Sequence, residues 1–193
     1  GYFTDIIRTV AGINKARVST GGIYLYTYDF NNRHTSGNTE AGVDVLCFGG
    51  TKNGMAVGEA ILFFNHKLAE DFDYRCKQAG QLASKMRYLS APWGRMIESG
   101  QWLENGKHGN ACARAFADAI VDLPHVRPIF PVQANAVFLQ LPTSLQQGLR
   151  ARGWRFYTFI GGGARFMFAW DADMQRVQQL IRDIRELALA TDH

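Results

Sequence analysis

The residue with the clearest chemical potential is Lys52, set in Phe48-Gly-Gly-Thr-Lys-Asn-Gly-Met-Ala-Val-Gly-Glu-Ala, a glycine-rich turn between two apolar runs. A lysine held there lies close to strand backbone and is expected to be partly desolvated. Desolvation favours the neutral amine, the form that attacks an aldehyde to make a Schiff base. Spacing alone describes a surface lysine in a β-turn equally, and on spacing alone that plainer reading is the better supported. The run is not a Walker-type phosphate loop, because no G-x-x-x-x-G-K-[ST] occurs.

Other chemistry-bearing residues are sparse. His66, His108, His125 and the cysteines Cys47, Cys76 and Cys112 have no metal-ligand spacing, and a tetrahedral site needs four convergent groups, so no metal is expected. Three cysteines cannot close into a disulfide framework, and free, mostly buried thiols in a reducing compartment are expected. Lys plus Arg is 21 against 17 Asp plus Glu, a net charge of +4 spread along the chain. Without aromatic residues interleaved among the basic ones, that excess predicts no nucleic-acid surface. Arg150, Arg152 and Arg155 read as a solvated helix end, where cations complement the dipole.

No window of eighteen apolar residues occurs, and the first residues carry neither a basic nor an apolar leader region. The expectation is no membrane span, no signal peptide and a place in the cytoplasm. With 47% hydrophobic and 20% charged residues over 193, the chain has the composition of a globular protein with a real core.

The elements that must position Lys52 follow from periodicity. Ile23 to Tyr28 alternates as a strand with Tyr24, Tyr26 and Tyr28 on one face, more often half of a core than a ligand surface. Val43–Phe48 and Ala60–Phe64 are short apolar runs between glycines, the pattern of buried strands in an α/β sheet. Asn65 is placed to cap a long helix with Leu68, Phe72, Cys76, Ala79, Leu82, Ala83, Met86 and Leu89 on one seam, stopping at Pro92. A second helix is predicted over about Gln101–Val121, then a strand around Val137 and Leu139 and a short helix capped by Thr143. Phe156–Phe159 and Ala164–Trp170 flank the Gly161-Gly162-Gly163 triplet as a hairpin, and Asp171 is placed to cap a last helix burying Val177, Leu180, Ile181, Ile184 and Leu187. Trp93, Trp102, Trp154 and Trp170 are structural by default.

Four stretches, in order, carry a family resemblance: Ala41-Gly-Val-Asp-Val-Leu-Cys-Phe-Gly-Gly-Thr-Lys-Asn-Gly, Glu59-Ala-Ile-Leu-Phe-Phe, Arg75-Cys-Lys-Gln-Ala-Gly-Gln-Leu-Ala-Ser-Lys-Met-Arg-Tyr-Leu-Ser-Ala, and Phe156-Tyr-Thr-Phe-Ile-Gly-Gly-Gly-Ala-Arg-Phe-Met. From residue 41 to about 189 the chain resembles the C-terminal half of the low-specificity L-threonine aldolases, pyridoxal-phosphate-dependent enzymes of fold-type I, the aspartate-aminotransferase-like α/β architecture. The resemblance implies an unassigned segment 1–40, the C-terminal part of a cofactor-binding large domain over 41–122, and a small α+β domain over 123–193.

It also implies roles. Lys52 would carry pyridoxal 5'-phosphate as a Schiff base and then act as acid and base near the reacting carbons. Arg87 would point at the cofactor phosphate, often that of a neighbouring subunit, though a solvated helix charge is its plainer reading. Arg165 would clamp the substrate α-carboxylate, the task a bidentate guanidinium suits, although a lone strand arginine is usually an edge charge. Asn135 would lie near the substrate, while turn chemistry alone also accounts for it. The implied reaction is retro-aldol cleavage of threonine or another β-hydroxy-α-amino acid to glycine and an aldehyde. The implied assembly is a homo-oligomer, a dimer or tetramer.

Residues 1–40 depart from the family pattern, since no Asp-Gly-x-Arg run, the family's source of the pyridine-nitrogen aspartate, occurs there. Two other readings therefore stand beside the aldolase: a pyridoxal-phosphate-dependent β-eliminating lyase sharing the lysine turn, and a non-catalytic interaction fragment of the same fold. The apolar strands at Val43 and Ala60 would expose edges unless residues 1–40 or a partner cover them.

Overall fold

Strand-period and helix-period patterns alternate along the computed structural model, which describes residues 16–19, 22–25, 44–63, 66–158 and 162–190. The chain divides into two compact units, Gly1–Glu104 and Asn105–His193.

In the first unit β1 (Ala16–Ser19) pairs antiparallel with β2 (Gly22–Leu25). The strand read at Ile23–Tyr28 is present as far as Leu25, and Tyr26 and Tyr28 lie outside the described residues. β3 (Val45–Gly49) pairs antiparallel with β4 (Glu59–Phe63), in a register running from Val45 opposite Phe63 to Gly49 opposite Glu59. Both apolar runs are strands, but not strands covered on both faces. Phe48 and Leu62 are buried while Cys47 and Ile61 are exposed, so the pair presents one face to a core and one outward.

Phe48 meets Trp93 and Trp102 at ring-centroid separations of 4.9 and 5.9 Å, and Met96 and Ile97 complete this cluster. Burying each such side chain stabilises by roughly 1.5–3 kcal/mol. Trp93 and Trp102 are structural, as their type predicts.

The long helix expected from Asn65 is two separate pieces. A 3-10 turn (His66–Ala69) leads to α1 (Phe72–Gln78), and α2 spans Arg87–Glu98. Between them Gly80 (φ 70°) and Lys85 (φ 59°) take left-handed backbone, which ends helical propagation. The expected seam also fails to find a core, since Leu68, Leu82 and Met86 are 53%, 61% and 40% exposed. Pro92 does not stop the helix but lies inside α2. It sits in the second turn, where one backbone bond is lost, and the buried Trp93, Met96 and Ile97 beyond it outweigh that loss.

α3 (Gln101–Asp118) follows, close to its predicted span, and its later residues build the second unit. There β5 (Arg127–Pro128), β6 (Ala136–Gln140), β7 (Tyr157–Thr158) and β8 (Ala164–Met167) form an antiparallel sheet in the order β5-β6-β8-β7. α4 (Thr143–Ala151) and α5 (Met174–Ala190) pack with it around Phe116, Val137, Leu139, Leu145, Leu149, Phe166 and Ile184. The β7–β8 hairpin matches the glycine-triplet reading, with Gly162 at φ 86° and Gly161 outside the described residues.

Of the three predicted helix caps, Asn65 lies outside the described residues and the other two move. Pro142 precedes α4, and Thr143 is its first helical residue. Asp173 rather than Asp171 caps α5, accepting a bond from the Gln175 amide at 2.8 Å. Two aspartates separated by one residue are indistinguishable by composition, and the hydrogen bond decides between them.

Arg150 and Arg152 are not simply solvated charges. Arg152 pairs with Asp183 at 2.9 Å and Glu186 at 2.8 Å. Asp183, 8% exposed, also accepts from Trp154 Nε1 at 2.7 Å and Gln179 Nε2 at 3.0 Å. The thiols differ from expectation too, since Cys112 is buried, Cys76 half-buried and Cys47 exposed. Burial pushes the Cys112 thiol up, a backbone hydrogen bond offsetting part of that. No helix among the described residues is long and apolar enough to cross a membrane.

Candidate active site

Lys52 lies in a 3-10 turn (Gly50–Asn53) that joins β3 towards β4, and its position is set by its neighbours rather than by its own side chain. A Cβ built on Gly50 would fall 2.6 Å from the Gly58 carbonyl oxygen and 2.7 Å from Trp93 Cζ2, so only glycine lets the turn seat against that indole. The Gly50 amide donates to Gly58 O at 3.2 Å, and Met55 N donates back to Gly50 O at 3.0 Å. Asn53 is buried at 4% exposure, and its Nδ2 donates to the Trp102 carbonyl oxygen at 3.1 Å. Gly54 closes the turn in left-handed backbone at φ 97°.

Between these anchors Thr51 and Lys52 point outward. Lys52 is exposed, which overturns the expected desolvation: the turn buries Gly50 and Asn53 and offers the lysine amine to whatever binds in front of it. Its chain passes Gly49, as does the carboxylate of Glu59, the residue paired with that glycine.

Arg87 is the first residue of α2, exposed, with its guanidinium carbon 5.1 Å from the centre of the Tyr88 ring. The same helix supplies Trp93, so the element that starts at Arg87 buttresses the Lys52 turn.

Arg165 and Asn135 belong to the second unit. Arg165 is not an edge-strand charge, since β8 is an interior strand flanked by β6 and β7. It pairs in register with Phe138 on one side and Tyr157 on the other, and its guanidinium carbon lies 5.2 Å from the Tyr157 ring centre. Ala164 and Phe166 face the core, so Arg165 lies on the opposite face of the sheet. Asn135, just before β6, donates from Nδ2 to Phe168 O at 2.8 Å and accepts at its own carbonyl from Phe168 N at 2.9 Å. It fixes the end of the β6–β8 pairing.

Sequence reasoning missed Gly50, Asn53, Tyr157 and Arg150 as supports. Their adjacency to Lys52 or to the hairpin was the available signal, whereas Trp93 and Trp102, the partners of Gly50 and Asn53, are distant in sequence. No group of three or more His, Cys, Asp or Glu placed to hold a metal occurs among the described residues.

The chain is 67% identical over 147 residues to the low specificity L-threonine aldolase of Pseudomonas aeruginosa, covering 76% of this chain and 42% of that protein. It is 63% identical over 152 residues to the low specificity L-threonine aldolase of Pseudomonas sp. (strain NCIMB 10558), covering 78% and 44%. The chain thus spans less than half the length of these curated relatives. A solved threonine aldolase structure from Leishmania major superposes with a TM-score of 0.67 at 22% identity, over 75% of this chain and 43% of that one. That likeness shows the α/β fold of the fold-type I enzymes. The family model described as beta-eliminating lyase matches residues 34–143, more than half of the chain and the whole lysine turn within it, and the protein belongs to that family.

Proposed function

We propose that this chain is the lysine-bearing part of a pyridoxal-phosphate-dependent aldehyde-lyase of the threonine aldolase kind, cleaving threonine or another β-hydroxy-α-amino acid to glycine and an aldehyde. In this reading residues 41–122 are the C-terminal part of the large domain and 123–193 the small domain. The observation that carries it is the Lys52 turn: an exposed amine on backbone fixed from both sides, within the stretch that the beta-eliminating lyase family model matches.

The residues present fit pyridoxal phosphate at the lysine. An outward amine on a turn anchored at Gly50 and Asn53 can reach an aldehyde, and the side chains of Lys52 and Glu59 both lie over Gly49 beside it. When bound, the cofactor supplies a sink for the electron pair released from the Cα–Cβ bond. Lys52 would hold the cofactor through its amine and, once freed by the substrate amine, would accept or return a proton beside it. Arg87 would contribute charge to the cofactor phosphate, across a subunit interface of a homo-oligomer. Arg165 would bind the α-carboxylate, with Asn135 at the start of the neighbouring strand. The place of work is the cytoplasm.

A second reading, a non-catalytic interaction fragment of the same fold, is favoured by one fact: no Asp-Gly-x-Arg run occurs in residues 1–40. The deciding experiment is a visible absorption spectrum of the chain with pyridoxal phosphate, beside Lys52→Ala, before and after borohydride. A borohydride-sensitive band lost in the variant supports the lyase and justifies assay with threonine and with β-substituted amino acids. The latter test the β-eliminating alternative. Absence of the band in both proteins favours the fragment.

A further inference from the structure

His108 and Cys112 stand four residues apart on α3, a spacing that puts both side chains on one face of the helix. That face meets the segment between β8 and α5. Gly109 lets the two come close, since a Cβ built there would lie 3.1 Å from the Phe168 carbonyl oxygen and 3.4 Å from that of Ala169. The segment then turns, the Ala172 amide donating to Ala169 O at 3.1 Å, and enters α5 at Met174, beside the Asp173 cap.

Three donor atoms of soft or intermediate character meet at this junction. Cys112 Sγ donates to Met174 Sδ at 3.2 Å and lies 3.7 Å from His108 Nε2. The Ala172 carbonyl oxygen borders them, 2.7 Å from His108 Nε2 and 4.0 Å from Cys112 Sγ. Because a carbonyl only accepts, Nε2 carries the imidazole proton in this arrangement. Around a three- or four-coordinate metal with bonds of about 2.0–2.3 Å, neighbouring donors stand roughly 3.3–4 Å apart. The thiol is thus close to coordination spacing from both other donors, and protons occupy the positions a cation would take. Cys112 is fully buried, whereas His108 and Met174 are exposed, so two of the three donors are open to an arriving ion.

We propose that His108, Cys112 and Met174 form a binding site for a soft monovalent cation, Cu(I). The donor set decides the softness, since a thiolate with a thioether disfavours hard cations such as Mg(II) and Ca(II). Burial decides the valence: a buried thiolate with a monovalent cation is neutral, while a divalent one would leave a net positive charge beneath the surface. Binding forms the Cu–S bond to Cys112, releases its proton to water and moves the imidazole proton from Nε2 to Nδ1, so one proton leaves per metal. The hydrogen bond from His108 to Ala172 O is exchanged for metal bonds that tie the same segment to α3. The site lies wholly in the second unit and uses none of the residues assigned to the lyase. Spacing of His and Cys could not reveal it, because the third donor is a methionine 62 positions beyond Cys112.

The test is an anaerobic titration of the whole chain with Cu(I) against bicinchoninate, in a Cys47→Ser/Cys76→Ser background that removes the other two thiols. The expected result is one Cu(I) per chain, with two sulfur neighbours and one nitrogen in X-ray absorption. Met174→Leu, which conserves volume at an exposed position, should weaken binding at least about tenfold and leave one sulfur neighbour. His108→Gln, which keeps a donor for Ala172 O, should weaken binding by a similar factor and remove the nitrogen. Cys112→Ala should abolish binding. A background chain that takes no Cu(I) from bicinchoninate overturns the proposal. So does an affinity or a neighbour count unchanged in Met174→Leu or in His108→Gln, because the ligands would then lie elsewhere.

Discussion

Asn53 Nδ2 donates to the Trp102 carbonyl oxygen at 3.1 Å, so the residue beside Lys52 is tied to the first turn of α3. The bond is buried, and deleting the amide leaves a carbonyl oxygen short of a donor. Asn53→Ala is expected to cost about 1–3 kcal/mol in chemical denaturation. It should also lower the yield of borohydride-fixed pyridoxal phosphate on Lys52, read by mass spectrometry. Full labelling with an unchanged denaturation midpoint would show that the turn does not depend on this anchor.

Gly50 and Gly106 make a matched pair. A methyl on Gly50 would meet Gly58 O at 2.6 Å, Trp93 Cζ2 at 2.7 Å and Met55 Sδ at 2.9 Å, whereas one on Gly106 in α3 meets nothing within 4 Å. Gly50→Ala is expected to destabilise by about 1–3 kcal/mol through overpacking. Gly106→Ala should stabilise by about 0.5–1 kcal/mol through helix propensity. Thermal denaturation of both separates a steric requirement at Gly50 from a general preference for glycine.

What the sequence made legible is local. The lysine turn, the β7–β8 hairpin and the buried face of α5 follow from glycine placement and from apolar spacing of two or of three to four, patterns that read themselves. What it hid is pairwise and distant. Nothing in the spacing of Leu68, Leu82 and Met86 distinguishes a seam that faces a core from one that faces outward, because periodicity states that a face exists and not what covers it. The outward turn of Lys52 was hidden for the same reason, since it depends on Trp93 and Trp102 claiming its neighbours. At Asp183 the sequence offered a charged residue in the middle of an apolar helix face. Its purpose emerges only with Trp154, some thirty positions earlier.

That aspartate gives a pH dependence of defined sign. Burial pushes the Asp183 carboxyl up, but hydrogen bonds from Trp154, Arg152 and Gln179 outweigh it and leave it below the usual carboxylate value. A carboxyl lowered in the folded state stabilises above its unfolded pKa of about 3.9, and that contribution is lost as pH falls through the lower folded value. Stability in urea is therefore expected to hold from pH 7 to about pH 5 and then to fall more steeply in the wild type than in Asp183→Asn. At pH 7 the variant should be about 1–2 kcal/mol less stable, with the second unit's Trp154 fluorescence reporting the change. Parallel acid limbs for the two proteins would assign the acid sensitivity elsewhere.

The proposed homo-oligomer makes a claim on the first unit. Tyr74, Leu82, Met86 and Tyr88 are 72%, 61%, 40% and 69% exposed in one stretch around α1 and the start of α2, beside Arg87. Scattered exposed apolar residues are ordinary, and four within one short segment are where the proposed interface is expected to lie. If copies of this chain meet there, sedimentation velocity at micromolar concentration should give a dimer or larger species. Leu82→Glu, which puts a charge into the seam at a position with no buried neighbours to disturb, should shift the protein towards monomer while leaving its denaturation midpoint within about 0.5 kcal/mol of the wild type. A wild-type chain that sediments as a monomer at those concentrations would remove the basis for Arg87 acting across an interface. An oligomer unaffected by Leu82→Glu would place that interface on another surface of the chain.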